Sequence, residues 1–226
     1  MNKQRQLIIF GDSAFAEIAY EYFTHDSIYE VVAFTVEQQY LKQEHLLGLP
    51  VVPFETIDLS YSPATHDVFA AVTYTQLNRL RARVCHQAKE KGYSLASYVS
   101  SKAFVWQNVK MGEHCFIFEN NVVQPFVQLG NNVILWSGNH IGHHSVIKDN
   151  CFISSHVVIS GFVEVGENCF FGVNATVANN IKIAKDCWIS PSVTMMKDTK
   201  VGELYKGLKA EAAPVNTYKF FKVTEA

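Results

Sequence analysis

The sequence predicts two domains of different architecture, a small α/β domain in residues 1–100 and a parallel β-helix in residues 101–226. Two observations lead to this prediction. In the first hundred residues, short apolar runs alternate with stretches that are typical of helices, as in a parallel α/β sheet. In the remaining residues an apolar side chain recurs at every sixth position, which is the period of a hexapeptide β-helix.

The first domain begins with a strand-like run, QLIIF, which is followed by a helix-compatible stretch, AFAEIAYEYFTH, and a second strand-like run, EVVAFT. A third strand is predicted in HDVFAAVTY, a second helix in QLNRLRARVCHQAKEKG and a fourth strand in SLASYV. Strands that alternate with helices in this way favour a small parallel sheet. We expect LKQEHLLGLPVVPFETI to be an irregular connection within this domain.

The turn after the first strand, Gly11-Asp12-Ser13-Ala14, leads directly into the first helix. A dinucleotide fingerprint needs two further glycines, so we do not expect a nicotinamide cofactor here. Backbone N–H groups at a helix N-terminus do suit a phosphate, so we predict that these four residues bind a nucleotide. Glu37, just past the second strand, is expected to accept hydrogen bonds from the base or ribose. The alternative is an ordinary strand–helix turn with a surface glutamate.

The second domain repeats every six residues without an insertion. All seventeen positions of this series are apolar, and they are Val105, Met111, Ile117, Val123, Leu129, Leu135, Ile141, Ile147, Ile153, Ile159, Val165, Phe171, Val177, Ile183, Ile189, Met195 and Val201. In a β-helix such residues point inwards and stack into one column. We therefore expect these seventeen side chains to form the core of the second domain.

A longer period of eighteen residues, or three hexads, is superimposed on the short one. Residue types that tolerate left-handed backbone recur at His114, Asn132, Asn150, Asn168 and Asp186. The next positions are Cys115, Val133, Cys151, Cys169 and Cys187. Eighteen residues therefore make one triangular coil, with the same turn at one corner of every coil. We expect the cysteines to be packing residues rather than redox or metal sites, since none forms a CxxC pair.

Composition excludes several classes of function. Apolar residues make up 48% of the chain, which is enough for a buried core. The net charge of −2 gives no electrostatic reason to bind nucleic acid or an anionic membrane. Apolar runs are too short for a membrane span or a signal peptide, so a cytoplasmic protein without disulfides is expected.

The combination of domains resembles a known family of enzymes. It is similar to the NeuD-like sugar acyltransferases and to the bacillosamine- and perosamine-type sugar N-acetyltransferases. The resemblance covers nearly the whole chain and is carried by IIFGDSAFAEIAYEYF, VVAFT, NHIGHHSVIKDNCFISSHVVISG and FGVNATVANNIKIAKDCWIS. It implies a Rossmann-like first domain that holds a nucleotide-linked sugar, followed by a left-handed β-helix. It further implies a homotrimer with acetyl-CoA between neighbouring β-helices and no metal.

In this family, a histidine that lies two residues after an isoleucine anchor is followed by an acidic residue. The stretch IGHHSV places His143 at that position, with His144 where the acid is usual. The resemblance thus implies that His143 is the general base for acyl transfer and that His144 supports it. His143 lies outside the left-handed column, so a turn role does not explain it. Gly161 lies in the same column one coil later, and we expect it to leave a gap for the substrate.

Acetyl-CoA needs main-chain donors for its pantetheine amides and cations for its phosphates. The residues expected to bind it are His156, Gly161, Phe162, Asn179, Asn180, Lys182 and Lys197. The alternative for the histidines, including His140, is that they are surface turn residues. The apolar tail TYKFFKV is expected to pack on the β-helix or on a neighbouring chain.

The predicted function is transfer of an acetyl group from acetyl-CoA to the amine of a nucleotide-linked sugar, for surface polysaccharide or glycan synthesis. One alternative is O-acetylation of a sialic-acid-like sugar, because no residue pattern specifies the acceptor atom. The other alternative is a non-catalytic β-helix scaffold.

Overall fold

The computed structural model describes residues 3–224, in which the first domain contains a six-stranded sheet with helices packed against it. Its strands are β1 (Arg5–Phe10), β2 (Tyr29–Val36), β3 (His45–Leu46), β4 (Leu49–Pro53), β5 (His66–Ala70) and β6 (Ser94–Leu95). Its helices are α1 (Ala14–His25), α2 (Ile57–Ser60) and α3 (Arg79–Glu90), with 3₁₀ turns at Gln38–Tyr40 and Phe54–Thr56. Helix α1 forms because Phe15, Ala16, Ala19 and Phe23 make one apolar face, which is buried on the sheet.

The strands are ordered β3-β4-β2-β1-β5-β6 across this N-terminal sheet. All neighbouring pairs are parallel except β3 and β4, so the sheet is mixed rather than wholly parallel. Strands β2, β4 and β3 lie on one side of β1, and strands β5 and β6, which come later in the chain, lie on its other side. In open α/β sheets, ligands bind at the carboxyl ends of the strands where the order reverses. The topology therefore places a candidate crevice above β1 and β5.

Two segments differ from the sequence-based prediction. The LPVVP segment is not an irregular connection but strand β4, which pairs with β2. Its two prolines argue against a strand, but β3 pairs only with Leu49 and Pro50, so the rest of β4 lies at the open edge of the sheet, where proline is tolerated. The run SLASYV is two strands rather than one, because Ser94–Leu95 ends the N-terminal sheet whereas Tyr98–Val99 pairs with Phe116–Ile117 in the β-helix.

The second domain is a parallel β-helix whose two-residue strands stack into three sheets, which we call the first, second and third sheets. The first sheet consists of Tyr98–Val99, Phe116–Ile117, Ile134–Leu135, Phe152–Ile153, Phe170–Phe171, Trp188–Ile189 and Leu204–Tyr205. The second consists of Phe104–Val105, Val122–Val123, His140–Ile141, Val158–Ile159, Thr176–Val177 and Thr194–Met195. The third consists of Lys110–Met111, Gln128–Leu129, Val146–Ile147, Glu164–Val165 and Lys182–Ile183.

The predicted core column is present along most of the β-helix. Every residue of the series from Ile117 to Met195 is buried. Towards the start of the series, Val105 is partly buried and Met111 is 39% exposed, because few coils cover them. The prediction for Val201 is wrong, since this residue is 60% exposed in a turn and the final strand begins three residues later.

The hexad pattern stops at the end of the β-helix because side chains replace a strand there. Asp198 accepts a hydrogen bond from the backbone N–H of Lys182 at 2.8 Å. The hydroxyl of Thr199 accepts one from the backbone N–H of Ala184, also at 2.8 Å. These contacts satisfy the open edge of the third sheet and so end the stack without a further strand.

The predicted left-handed turns are confirmed, and they occupy all three corners rather than one. At the predicted corner, φ lies between +56° and +63° for His114, Asn132, Asn150, Asn168 and Asp186. A second column has positive φ at Asn120, Gly138, His156, Asn174 and Ser192, and a third at Phe126, His144, Phe162 and Asn180. A turn role therefore does apply to His144 and His156, whereas His143 has no positive φ.

The cysteines of the coils are buried and free, in agreement with a packing role. The thiols of Cys115, Cys151 and Cys169 each donate to a carbonyl oxygen of the following coil at 3.2 Å. Burial raises the pKa of Cys115 to about 11, so this thiol stays protonated.

The first domain covers the outer face of the first sheet. That face carries an apolar ladder of Phe116, Ile134, Phe152, Phe170 and Trp188. Phe15 of α1 packs against Phe116 with ring centroids 5.9 Å apart, and Tyr74 packs against Phe170 at 4.6 Å. No element within residues 3–224 covers the second or third sheet in this way, so the two domains share one apolar interface on a single side of the prism.

A buried polar network also connects the domains. Arg81 of α3 is fully buried, and it donates to Asn132 Oδ1 at 2.8 Å and to the carbonyl oxygen of Thr73 at 2.7 Å. His114 Nδ1 also lies 2.8 Å from Asn132 Oδ1, while its Nε2 accepts from the N–H of Ala70 at 2.8 Å. Because Nε2 is an acceptor, Nδ1 carries the proton and the ring is neutral. Burial lowers the pKa of His114 to about 3.

The C-terminal tail contains a short helix, Thr217–Phe221. Leu208, Tyr218, Phe220 and Phe221 are all more than half exposed, so the tail does not pack on its own β-helix. That part of the prediction is wrong, and contact with a neighbouring chain stays a prediction. Within residues 3–224, no helix combines the length and the apolar character needed to cross a membrane.

Candidate functional site

A crevice of about 480 Å³ opens at the carboxyl ends of β1, β2 and β5, where the strand order reverses. Of the residues predicted to bind the nucleotide, Gly11, Asp12, Ser13 and Glu37 line it, whereas Ala14 begins helix α1 beside it. The other lining residues are Phe10, Val36, Tyr40, Lys42, Ala71, Val72, Thr73, Thr75, Gln76, Leu80 and Arg83.

The turn after β1 has the geometry of an anion site. Gly11 has φ of +120°, and a Cβ atom there would lie 3.1 Å from the carbonyl oxygen of Ala71. Only glycine therefore fits this close approach between the two strands. Ser13 precedes α1, and its side chain does not cap the helix. The first N–H groups of the helix consequently remain available to a ligand in the crevice.

Glu37 already has a partner. Arg83 of α3 donates to Glu37 Oε1 at 2.7 Å, and this hydrogen bond raises the pKa of Arg83. Arg83 also donates to Gln87 Oε1 at 3.1 Å. Arg83 and Lys42 also line the crevice and were not predicted to do so; the basic run NRLRAR is the only signal in the sequence for Arg83. The crevice thus combines two cations with the carboxylates of Asp12 and Glu37.

The second part of the candidate site is a corner of the β-helix between the second and third sheets. We call it the histidine corner, and it comprises Phe126, His143, His144 and Phe162. Both histidines are exposed. The backbone N–H of His143 donates to Gln124 Oε1 at 2.9 Å, and its Nδ1 lies 3.2 Å from Nδ1 of His144.

The imidazole of His143 lies directly over Gly161. A Cβ atom at Gly161 would come within 2.8 Å of Cε1 and 2.9 Å of Nε2 of this ring. The gap that we expected at Gly161 for the substrate is therefore filled by the imidazole itself. Glycine is required here because any larger residue would displace the ring.

The aromatic rings of the histidine corner are stacked. The ring of His144 lies between those of Phe126 and Phe162, with centroid distances of 4.6 Å and 4.8 Å and interplanar angles of 27° and 17°. Phe162 also meets His143 edge-on, at 5.1 Å and 88°. In the described part of the chain, no carboxylate is hydrogen-bonded to either histidine.

The residues predicted to bind the coenzyme fall into two groups. Gly161, Phe162, Asn179 and Asn180 belong to the same edge of the prism as His143, one and two coils further along. The N–H of Gly161 donates to Asn179 Oδ1 at 2.9 Å, and its carbonyl accepts from the N–H of Asn180 at 3.1 Å. The side chains of Phe162, Asn179 and Asn180 are exposed.

His156 does not join His143, because it belongs to the corner between the first and second sheets. Its ring lies against Gly138, where a Cβ atom would come within 2.7 Å of Nδ1. Lys182 lies on the outer side of the third sheet and Lys197 follows the last strand of the second, and both are exposed. Within residues 3–224, no group of three His, Cys, Asp or Glu side chains is arranged to hold a metal ion.

The crevice and the histidine corner lie on different sides of one chain. The first domain covers the first sheet, and the edge between the second and third sheets is the one opposite to it in a triangular prism. A single copy therefore does not bring a ligand in the crevice to His143.

Comparison with known proteins agrees with these features. Residues 108–143 and 144–179 match the family described as bacterial transferase hexapeptide (six repeats). No curated protein sequence matches the chain.

Solved structures match both domains together. The acetyltransferase domain of PglB from Neisseria gonorrhoeae has a TM-score of 0.80 at 22% identity, covering 89% of this chain and 96% of that one. The same domain in complex with acetyl coenzyme A also gives 0.80, at 21% identity, covering 89% and 95%. PerB from Caulobacter crescentus, in complex with CoA and GDP-perosamine, gives 0.78 at 22% identity, covering 88% and 92%. This chain therefore carries bacterial transferase hexapeptide repeats and shares its two-part fold with the acetyltransferase domain of PglB and with PerB.

Proposed function

We propose that this protein transfers the acetyl group of acetyl-CoA to the amine of a nucleotide-linked sugar. The observation that carries the proposal is that one chain has two sites. One is the crevice where the strand order of the N-terminal sheet reverses, and the other is the exposed His143 lying over Gly161 on the β-helix. The fold supports it, because a structure of the same fold contains CoA and GDP-perosamine. We infer a Rossmann-like domain in residues 1–100 and, in residues 101–226, a left-handed β-helix with a C-terminal tail.

The crevice is the proposed site for the nucleotide. The N–H groups of Asp12, Ser13 and Ala14 face the diphosphate at the start of α1, where the helix dipole favours negative charge. Gly11 lets the chain turn there, while its own N–H donates to the carbonyl oxygen of Thr35 at 2.8 Å. Arg83 and Lys42 add positive charge, and Glu37, held by Arg83, accepts hydrogen bonds from the base or ribose.

The reaction requires no covalent enzyme intermediate. The sugar amine attacks the thioester carbonyl while His143 Nε2 accepts its proton. The C–S bond then breaks, and the proton passes to the departing sulfur to give CoA. A backbone N–H can stabilise the oxyanion in between. His143 is thus the catalytic base, and His144 acts through it.

The proposed assembly is a homotrimer. Since one chain keeps its crevice and its histidine corner apart, a neighbouring copy has to supply the crevice that faces His143. The uncovered second sheet offers an apolar surface for this contact, as Phe104 is 52% and Val158 39% exposed. Acetyl-CoA would lie in the groove beside the histidine corner, along Gly161, Phe162, Asn179 and Asn180. The acetyl-CoA site would be completed by Lys182, by Lys197 and by His156, which belongs to the corner between the first and second sheets.

The test is an assay of thiol release from acetyl-CoA with a panel of UDP-, GDP- and dTDP-linked 3- and 4-amino sugars, together with their hydroxyl counterparts. We expect turnover only with amino sugars. Turnover with the hydroxyl sugars would indicate O-acetylation instead, and no thiol release with any sugar would contradict the proposal.

A variant identifies the base. His143→Ala is expected to lower kcat by about 100-fold or more, because a general base contributes that much to proton transfer. His86→Ala, which removes an exposed histidine on α3, is the matched control and should leave kcat unchanged. Near-normal turnover of His143→Ala would overturn the assignment of the base.

A further inference from the structure

The histidine corner breaks a rule that the other two corners of the β-helix obey. At those corners, each left-handed position holds Asn, Asp, His, Gly or Ser. At the histidine corner, Phe126 has φ of +66° and Phe162 has φ of +58°. A bulky aromatic residue with left-handed backbone is an outlier, since its side chain crowds the following peptide. Such strain is retained where the surrounding structure uses it.

Burial of the phenyl rings does not explain this strain. Phe126 and Phe162 are each 54% exposed, so they are not core residues. Their shared contact is His144, whose ring they enclose on both faces at 4.6 Å and 4.8 Å. The ring enclosed in this way points its Nδ1 at Nδ1 of His143, 3.2 Å away.

We propose that Phe126, His144 and Phe162 form an aromatic clamp that positions the catalytic imidazole of His143. The proposal rests on the proposed function and deepens it. The clamp supplies the orientation for which a carboxylate beside the base is otherwise the common device. Phe126 and Phe162 fix the plane of His144, and His144 in turn fixes the orientation of His143 through the Nδ1–Nδ1 contact. The proposal assigns the shared proton to His143. Phe126 and His144 are positioning residues, because they act on the substrate only through His143. Phe162 has the same role in addition to bordering the groove proposed for acetyl-CoA.

A hydrogen bond between the two Nδ1 atoms holds a single proton, so one histidine donates and the other accepts. When His143 is the donor, its Nε2 carries the free lone pair and can act as the base. As the N–C bond forms at the thioester carbonyl, Nε2 takes the proton from the amine and His143 becomes an imidazolium. Its Nδ1–H continues to donate to the neutral His144. The proton leaves Nε2 for the sulfur when the C–S bond breaks, so the clamp returns to its starting state.

The first test replaces both phenylalanines by a residue that suits the backbone. Asparagine tolerates left-handed φ, so Phe126→Asn with Phe162→Asn should keep or raise the thermal stability of the protein. We expect kcat at saturating acetyl-CoA to fall about 10-fold through loss of orientation, while the KM for the nucleotide sugar stays unchanged. Ser192→Asn serves as the control, because it also introduces asparagine at a left-handed position but at another corner. Unchanged kcat in the double variant would overturn the clamp and leave the proposed function standing.

The second test does not depend on activity. Nitrogen NMR of the imidazoles in the full-length protein, labelled at histidine, reports which ring nitrogen carries a proton. We expect His143 to be protonated at Nδ1 and bare at Nε2 in the wild type, and to exchange between both tautomers in the double variant. His143 signals that are the same in both proteins would overturn the proposal, even if no sugar in the panel proves to be a substrate.

Discussion

At the scale of single residues, two glycines are explained by the imidazole rings that lie over them. Gly161 lies beneath His143, and Gly138 lies beside His156. Hydrogen bonds settle the tautomer of a third histidine, His114, which is buried at the contact between the domains. The orientation of each ring follows from a glycine contact or from hydrogen bonds, and substitution can test this.

Gly161→Ala should separate catalysis from folding. The added methyl would come within 2.8 Å of the His143 ring, and the imidazole can swing away because it is an exposed side chain. We expect the melting temperature to change little and kcat to fall by about 10- to 100-fold, because the base loses its orientation. Steady-state kinetics and thermal unfolding of the same sample check this. An active variant, or one that unfolds early, would contradict the role assigned to Gly161.

His114 should make folding sensitive to acid. Its pKa is lowered to about 3 in the folded chain, by burial first and then by the charge of Arg81, against 6.5 for the free side chain. Between these values the unfolded chain binds a proton that the folded chain does not, so stability falls as pH drops from 6.5 towards 3. One such group contributes a slope of at most about 1.4 kcal/mol per pH unit.

The measurement compares the wild type with His114→Asn in denaturant at several pH values and one protein concentration. The carboxylates titrate in both proteins, so the difference between their slopes isolates His114. The free energy of unfolding of the variant should fall less steeply with acid. Equal slopes would show that His114 is not held neutral.

At the scale of elements, helix α3 connects the crevice to the β-helix. Its buried side chains recur at Arg81, Val84, Cys85 and Ala88, which is the spacing of one helical face. Among residues 3–224, Arg81 has only carbonyl and amide oxygens as hydrogen-bond partners, including the carbonyls of Thr73, which lines the crevice, and of Asn150 in the β-helix. One side chain therefore fixes the position of the crevice relative to the coils.

Two arginines of this helix allow a matched comparison. Arg81→Met should lower the free energy of unfolding by about 3 kcal/mol, since it leaves several buried oxygens without donors. Arg79→Met should cost about 1 kcal/mol or less, because Arg79 forms its ion pair with Asp186 at the surface, where its side chain is 49% exposed. Denaturant titrations of both variants measure these losses in the free energy of unfolding. Similar losses for the two would mean that the buried network adds nothing beyond a surface ion pair.

At the scale of the whole molecule, the sequence was most informative where a residue pattern repeats. The hexad spacing predicted the β-helix and its core column, and the Asn and Asp residues predicted the left-handed turns. The covered sheet also had a signal that was not used, because the residue before every third anchor, from Phe116 to Trp188, is large and apolar. Such a ladder on the outer side of a sheet indicates that another domain covers it.

Contacts between distant segments could not be predicted from the sequence. The pairing of Arg83 with Glu37 joins a helix to the end of β2, and the clamp around His144 joins three successive coils. The pairing of Arg83 with Glu37 does not follow from local spacing. The eighteen-residue period does place Phe126, His144 and Phe162 in one column, but it does not show that their rings stack. Strand β4 was missed for a related reason, because its pairing with β2 outweighs the local effect of two prolines.

The central claim is that a reaction site forms between the histidine corner of one copy and the crevice of another. Two variants test it directly: His143→Ala, which lacks the base, and Gly11→Val, in which a side chain obstructs the turn at the crevice. Each should be inactive alone. Co-expressed in equal amounts, they should form mixed oligomers that recover about a quarter of the wild-type activity, since random neighbours pair an intact corner with an intact crevice that often. Recovery of no activity in mixed oligomers of the same size would contradict the claim, because it would place both parts of the site in one chain.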